Sequence, residues 1–344
     1  MTKYWALISA LMLFFLSSHS QPSAEAQRVA DVGGAWRDKS PHKSAFVQAN
    51  GVRLHALDWG GKGKTLLFLA DIGYSAHVFD EIAPKFTDSF HVIGLTRRGQ
   101  GESEKPTSGY DTDTLMEDIR QFLDKKGIGK VIIAGHGLAG VEMTRFAAIF
   151  KSRVDKLVYF DAAYDSDDSN SVLARYEETL KTLPPPPYPV RDNANFDALR
   201  SWGKLRLGCW SEALESELRA DIIRRPDGGI QDAMPARVEE SLRRSAVVSA
   251  GDFANVKAPS LSFYAMDSIR SVFPWLPQDI SPSNRKAGQK FADYGNELKK
   301  EQIARFLKGG TNRRAVELPD TVHHCFIARQ DKIVQEMKTF LSEK

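Results

Sequence analysis

At 344 residues, with 42% hydrophobic and 26% charged side chains, the chain has an ordinary globular composition and room for one large domain carrying an insertion, or for two domains. Its formal charge of +3 is small for that length, and the basic residues fall in scattered pairs such as Arg97-Arg98 and Arg243-Arg244. Nucleic-acid binding needs a concentrated basic patch or stripe, so that class is set aside.

Lys3 precedes an apolar core from Tyr4 to Leu16, and a polar stretch then leads to Ala24-Glu25-Ala26. Small residues three and one positions before a cut make residues 1–26 an expected signal peptide, cleaved after Ala26. About 13 apolar residues fall short of the ~20 that span a bilayer. No cysteine lies near the cut, so no lipid anchor is expected either. The expectation is an exported protein, periplasmic or secreted, with no stable membrane anchor after cleavage. Residues 27–43, polar and glycine-containing, read as an N-terminal arm.

Phe46–Gln48 and Val52–Trp59 alternate about Asn50-Gly51, a two-residue hairpin signal. Thr65–Leu69 is a continuous apolar run, as for a strand buried on both faces. A helix is expected over Ala76–Phe86, a strand over Phe90–Leu95, and an amphipathic helix over Thr112–Lys125 with Leu115, Ile119, Phe122 and Leu123 on one face. Val131–Ala134 is the next buried strand. It runs through Gly135 into helical spacing at Leu138, Ala139, Val141, Met143, Phe146 and Ala147. Lys156–Phe160 is a further strand. From 164 to about 255 the rhythm changes to charged, helical text broken by Pro184-Pro185-Pro186-Pro187, with no clear buried strand. Strands return at Pro259–Ala265 and Arg313–Leu318, around a helix over Arg285–Leu307, and a helix over Ile327–Leu341 closes the chain. Alternating strands and helices argue for a mostly parallel sheet covered on both faces, an α/β fold. The predicted division is a core of residues 44–162 and 257–344 with a helical cap over 163–256.

The strand-to-helix turn at Gly135-His136-Gly137-Leu138-Ala139-Gly140 has the shape of a nucleophile elbow. Three more landmarks follow the same order: Arg98-Gly99-Gln100-Gly101-Glu102-Ser103, Tyr264-Ala265-Met266-Asp267, and Val322-His323-His324-Cys325-Phe326. With these four the chain resembles the α/β-hydrolase family over nearly all of its expected mature length. The resemblance implies a Ser at the elbow apex, where this chain has Gly137. It implies a triad acid at Asp267, with Asp161 as the alternative, and a triad histidine at His324. The backbone N–H groups of Ile72 and Leu138 would form the oxyanion hole.

Two departures bear on activity. Gly137 offers no side chain to attack a substrate, and loss of the nucleophile in a comparable triad costs on the order of 10⁶ in rate. Ala70-Asp71-Ile72-Gly73 stands where the family usually has His-Gly, and a carboxylate at Asp71 facing the pocket would repel a developing oxyanion. Ser75 and Cys325, beside the site in sequence, are possible substitute nucleophiles, though Ser75 better suits a helix cap. Cys209 and Cys325 are too few and too far apart for a disulfide framework and are expected as buried thiols. Phe273 and Trp275 are candidate walls of an apolar pocket beneath the cap. No metal-ligand spacing and no cofactor motif are found.

Three readings follow. The first is a hydrolase of ester, lactone or amide ancestry with hydrolysis lost or impaired. The second is a non-catalytic protein binding a small apolar or ester-like molecule. The third is a His/Asp general-base enzyme that needs no nucleophile.

Overall fold

The computed structural model describes residues 38–164, 182–185, 196–224, 229–248 and 253–343. The expected signal peptide, most of the arm and parts of the cap lie outside these residues.

Strands β1 (Lys43–Ala49) and β2 (Val52–Gly60) form the hairpin, turning at Asn50 and Gly51, both at positive φ (47° and 75°) as a two-residue turn of this kind requires. The apolar runs β3 (Thr65–Leu69), β4 (His91–Leu95), β5 (Val131–His136) and β6 (Val154–Phe160) are the interior of the sheet. With β9 (Ser260–Ala265) and β10 (Arg313–Leu318) they complete eight strands in the order β1-β2-β4-β3-β5-β6-β9-β10. All neighbours are parallel except β1/β2 and β2/β4. A parallel sheet needs crossover helices on its faces, which is why β3 and β5 are buried at every position.

Those crossovers include α1 (Thr112–Lys125) and α2 (Ala139–Ile149). The α1 helix starts where Asp111 accepts a hydrogen bond from Thr114 N (2.9 Å), and it buries Leu115, Ile119, Phe122 and Leu123 as its spacing predicts. The far face of the sheet carries Phe68, Phe79, Phe160 and Phe326, with Phe68 and Phe160 stacked at 6.3 Å between ring centres. Arg98, from the loop after β4, clamps Asp118 of α1 through Nε (2.6 Å) and Nη2 (2.5 Å), tying helix to loop. Its neighbour Ser103 donates to Thr96 O (2.7 Å), which closes the tight turn.

Between β6 and β9 the chain places α3 (Phe196–Leu207), α4 (Glu212–Ala220) and α5 (Ala236–Val248). It also forms a short antiparallel pair, β7 (Ile222–Arg224) and β8 (Ile230–Asp232), which three-residue strands give too little periodicity to reveal. After β9 come α6 (Ile269–Val272), α7 (Pro282–Lys308), and, beyond β10, α8 (Cys325–Ala328) and α9 (Gln330–Ser342). The single helix expected over 76–86 is instead two short 3₁₀ turns, Ala76–Phe79 and Ala83–Phe86. Pro84 opens the second, since proline lacks the N–H that would continue the first. Among the described residues no helix is long and apolar enough to cross a membrane.

Candidate active site

The carboxyl ends of the parallel strands meet at one edge, where open α/β sheets place their ligands. Gly137 follows β5, Asp71 follows β3, Asp161 follows β6, Asp267 follows β9, and His323 and His324 follow β10. The elbow is sharp. Gly137 sits at φ +54° between the end of β5 and the start of α2, a conformation that strains residues other than glycine. A Cβ on Gly140 would lie 2.0 Å from Ala162 O, so the new helix can rest against the β6 end only because that position is bare.

Asp71 faces this elbow and is fully buried. A Cβ placed on Gly137 would lie 2.2 Å from Asp71 Cγ and 2.4 Å from each carboxylate oxygen. The Asp71 carboxylate therefore fills the space that a side chain at position 137 would occupy. Its Oδ1 accepts hydrogen bonds from the backbone N–H of Leu138 (2.7 Å) and Ile72 (2.7 Å), the pair expected to hold an oxyanion. Its Oδ2 lies 3.1 Å from His323 Nε2. The loop that presents Asp71 is fixed by Arg97, which donates to Ala70 O (3.2 Å) and to the buried Glu142 of α2 (2.7 Å), and by Gln100, whose amide oxygen accepts from Gly73 N.

His323 Nδ1 lies 2.7 Å from Asp161 Oδ2, so Asp71, His323 and Asp161 form one line. Asp161 is buried at φ +47°, its Oδ1 accepting from Ala265 N (3.1 Å) and from the Tyr164 hydroxyl. Burial alone would drive protons off His323, but its hydrogen bonds to Asp161 and Asp71 outweigh that, and its pKa is pushed up to about 9. Burial raises Asp71 less than the His323 bond, the neighbouring His136 and His323 charges and the Leu138 N–H lower it, so the carboxyl stays ionised far below the usual range. Asp161 is held low in the same sense, burial being overcome by the charge of Lys299 and the His323 bond. At neutral pH the line is carboxylate, imidazolium, carboxylate.

This arrangement corrects two assignments made from sequence. The histidine in the line is His323, not His324, whose ring is buried between Tyr74 (4.8 Å) and His136 (4.9 Å) with neither nitrogen hydrogen-bonded among the described residues. Burial beside two other histidines pushes the His324 pKa well down. The partnering acid is Asp161, the alternative, and not Asp267, which is bound to Lys299 of α7 (2.5 Å) and to Asn296 through its backbone N–H (2.6 Å). Counting back from the closing helix cannot separate adjacent histidines, because α8 begins at Cys325 and turns the second ring into the core. A signal for Asp161 was present in its place directly after β6.

The remaining candidates sit elsewhere. Ser75 caps the turn after β3 by accepting from His77 N (3.2 Å) and is tied by its own N and Oγ to Glu217 of α4 (2.7 Å each). Cys325 and Cys209 are free thiols. Phe273 and Trp275 pack on each other at 5.6 Å with Leu183 and Leu276, in a cluster separate from Asp71 and His323. The apolar wall that does adjoin the cradle is made by Ile72, Leu138 and Val141 with Met234, Val238 and Leu242 from the segment between β6 and β9, a contribution that sequence spacing did not reveal. Asp71, His136 and His323 could present three metal ligands, though both Asp71 oxygens and both His323 nitrogens are already engaged with each other, Asp161 and the two N–H groups.

The family profile described as alpha/beta hydrolase fold matches residues 50–323. The chain belongs to the α/β-hydrolase fold family. It is 32% identical over 120 residues to soluble epoxide hydrolase from Corynebacterium sp. (strain C12), a match covering 35% of this chain and 41% of that protein. Relatives at this level of identity are thus matched over about two fifths of their length. Among solved structures, E-2-(acetamidomethylene)succinate hydrolase superposes with a TM-score of 0.66 at 18% identity, covering 88% of this chain and all of that one. The Bacillus megaterium epoxide hydrolase superposes at 0.61 and 17% identity, covering 87% and 100%. These superpositions establish the fold, and the hydrolase ancestry rests on the family match and the named relatives.

Proposed function

We propose that the protein is an exported hydrolase whose nucleophile is Asp71, supplied by the loop after β3 in place of the missing side chain at 137, and that it opens small apolar epoxides. The observation that carries this reading is the Asp71 carboxylate itself, with one oxygen in the N–H cradle and the other against His323. A carboxylate attacking an ester or amide carbonyl yields a mixed anhydride, less stable than the substrate. The cradle that such a carbonyl needs is also already filled, which supports the expected impairment of ester, lactone and amide hydrolysis. Attack on a strained sp³ carbon instead yields an ordinary ester, which water can then cleave. A relative that bears the name soluble epoxide hydrolase agrees with this substrate class.

Asp71 Oδ2 attacks an epoxide carbon, the C–O bond breaks, and the alkoxide takes a proton from water, leaving a hydroxide that is neutralised by the proton His323 then releases. Esterification removes the charge of Asp71, one of the two carboxylates that hold the proton on His323, so His323 releases it and becomes a base. It then takes a proton from a second water, whose oxygen adds to Asp71 Cγ while Oδ1, now the ester carbonyl oxygen, gathers charge in the Ile72 and Leu138 N–H cradle. Collapse releases the diol, and the proton of the new acid passes to the departing oxygen. The wall formed by Ile72, Leu138 and the cap selects an apolar substituent.

Single-turnover hydrolysis of an aryl glycidyl ether in heavy-oxygen water tests the reading. The first diol is expected to carry an unlabelled oxygen, with the label left in the peptide containing Asp71. Asp71→Ala should lower turnover on the order of 10⁶-fold, the cost of losing a nucleophile. Label in the first diol and none in the protein would point to direct attack by water. No turnover across a panel of epoxides would leave the second reading, a non-catalytic binder whose cradle is closed by Asp71. Export rests on residues 1–26, and N-terminal sequencing of the secreted or periplasmic product should begin at Gln27; a product beginning at Met1 would refute cleavage.

A further inference from the structure

We propose that Asp38, His42, His77 and Asp80 form a second site, for a divalent transition metal of the zinc type, that clasps the N-terminal arm to the turn after β3. The four residues come from two segments: Asp38 and His42 just before β1, His77 and Asp80 at the 3₁₀ turn Ala76–Phe79. One donor atom from each lies within 4.8 Å of all the others. His42 Nε2 is 3.0 Å from Asp38 Oδ2 and 3.5 Å from Asp80 Oδ1, and His77 Nδ1 is 3.3 Å from Asp38 Oδ2 and 2.8 Å from Asp80 Oδ2. Two imidazole nitrogens facing two carboxylate oxygens suit a four-coordinate borderline cation, and the two negative charges neutralise a divalent ion.

A second observation points into the cluster. Asp80 is 5% exposed, yet its Oδ1 has no hydrogen-bond partner among the described residues, although it lies closest to His42 of the two carboxylate oxygens. A buried carboxylate oxygen left without a donor is costly, and a cation between the two histidines and the two aspartates would satisfy it. The surroundings hold the donors in place. Ser40 donates to the Asp80 backbone carbonyl (3.2 Å), Trp59 donates its indole N–H to Ser40 (2.9 Å), and the Trp59 ring stands edge-on to His42 at 6.0 Å. Supports of this kind fix ligand orientation in metal centres. The spacing alone could not disclose the site, because each segment supplies only two ligands.

The arm would then be bound to the segment that follows Ser75 and the Asp71 loop, so metal binding should show as stability. Chelator-treated mature protein is titrated with Zn²⁺ alone, and separately with Co²⁺. The expected result is one ion per chain, a visible Co²⁺ spectrum of the intense four-coordinate type, and a rise in the thermal midpoint. His42→Gln with His77→Gln should lose stoichiometric binding and the midpoint rise, whereas His323→Gln should keep both. The wild-type titration stands even where a variant folds poorly. The proposal is overturned if the wild type takes up neither ion at micromolar concentration, if its Co²⁺ spectrum is weak and six-coordinate, or if His323→Gln and not the double variant abolishes binding.

Discussion

Gly137→Ser alone stays inert toward carboxylic esters, and only Asp71→Gly combined with Gly137→Ser acquires esterase activity. The reason is spatial. A Cβ at 137 already falls 2.2 Å from Asp71 Cγ, well inside contact distance, so the serine cannot be accommodated unless the carboxylate leaves the N–H cradle. That overpacking should cost about 1–3 kcal/mol and show as a lower thermal midpoint. Even a serine that forced its way in would find Ile72 N and Leu138 N donating to Asp71 and unable to receive a substrate carbonyl. Removing the carboxylate frees the two donors, frees His323 Nε2 to face a serine hydroxyl, and leaves Asp161 on Nδ1. The pieces of a Ser-His-Asp hydrolase are then all in position. Ester hydrolysis should rise on the order of 10² to 10³ over either single variant, the usual worth of a functioning cradle. Equal activity in Gly137→Ser and the double variant would show that Asp71 yields readily, and the role assigned to it here would fall.

Positions 71 and 137 show where sequence reading stops. The strand runs at 65–69 and 131–134, the hairpin at Asn50-Gly51 and the amphipathic face of α1 are local patterns, so the fold was legible almost strand by strand. The absence at 137 was legible too, as was the unusual carboxylate at 71, each as an isolated departure. That the second fills the place of the first depends on β3 and β5 being parallel neighbours, Leu69 opposite Gly135, which brings the two loops together. No periodicity carries that information. His323 and His324 differ by one residue and by the direction in which the start of α8 turns each ring. Asp161 and Asp267 end strands that lie side by side, and the choice between them was made by Lys299, which neutralises Asp267 from a helix position 32 residues on in the chain. Each misassignment comes from a contact across the sheet edge that only the fold creates.

His323→Gln should trap the protein as an ester of Asp71. A primary alkyl bromide separates the two halves of the reaction, because bromide departs as an anion and alkylation needs no proton, while ester hydrolysis needs His323 as base. Glutamine retains a donor toward Asp71 and cannot accept a proton from water. One alkyl group per chain, on the peptide containing Asp71, should accumulate in this variant and be only transient in the wild type; hydrolytic turnover should fall about 10² to 10⁴-fold. Intact-mass spectrometry reads the outcome, and an unlabelled variant that is also inactive would remove Asp71 as nucleophile. The same residue gives a stability signature in the unliganded protein. Its folded pKa, near 9, lies above the unfolded value of about 6.5, so the imidazolium between two carboxylates stabilises the native state fully below pH ~6.5, and that stabilisation is lost as the pH rises through about 9. Between those limits the thermal midpoint of the wild type should fall relative to His323→Gln, which has no proton to lose. Parallel curves would mean that His323 is neutral in the resting site, and that the proton released on esterification of Asp71 must come from another group.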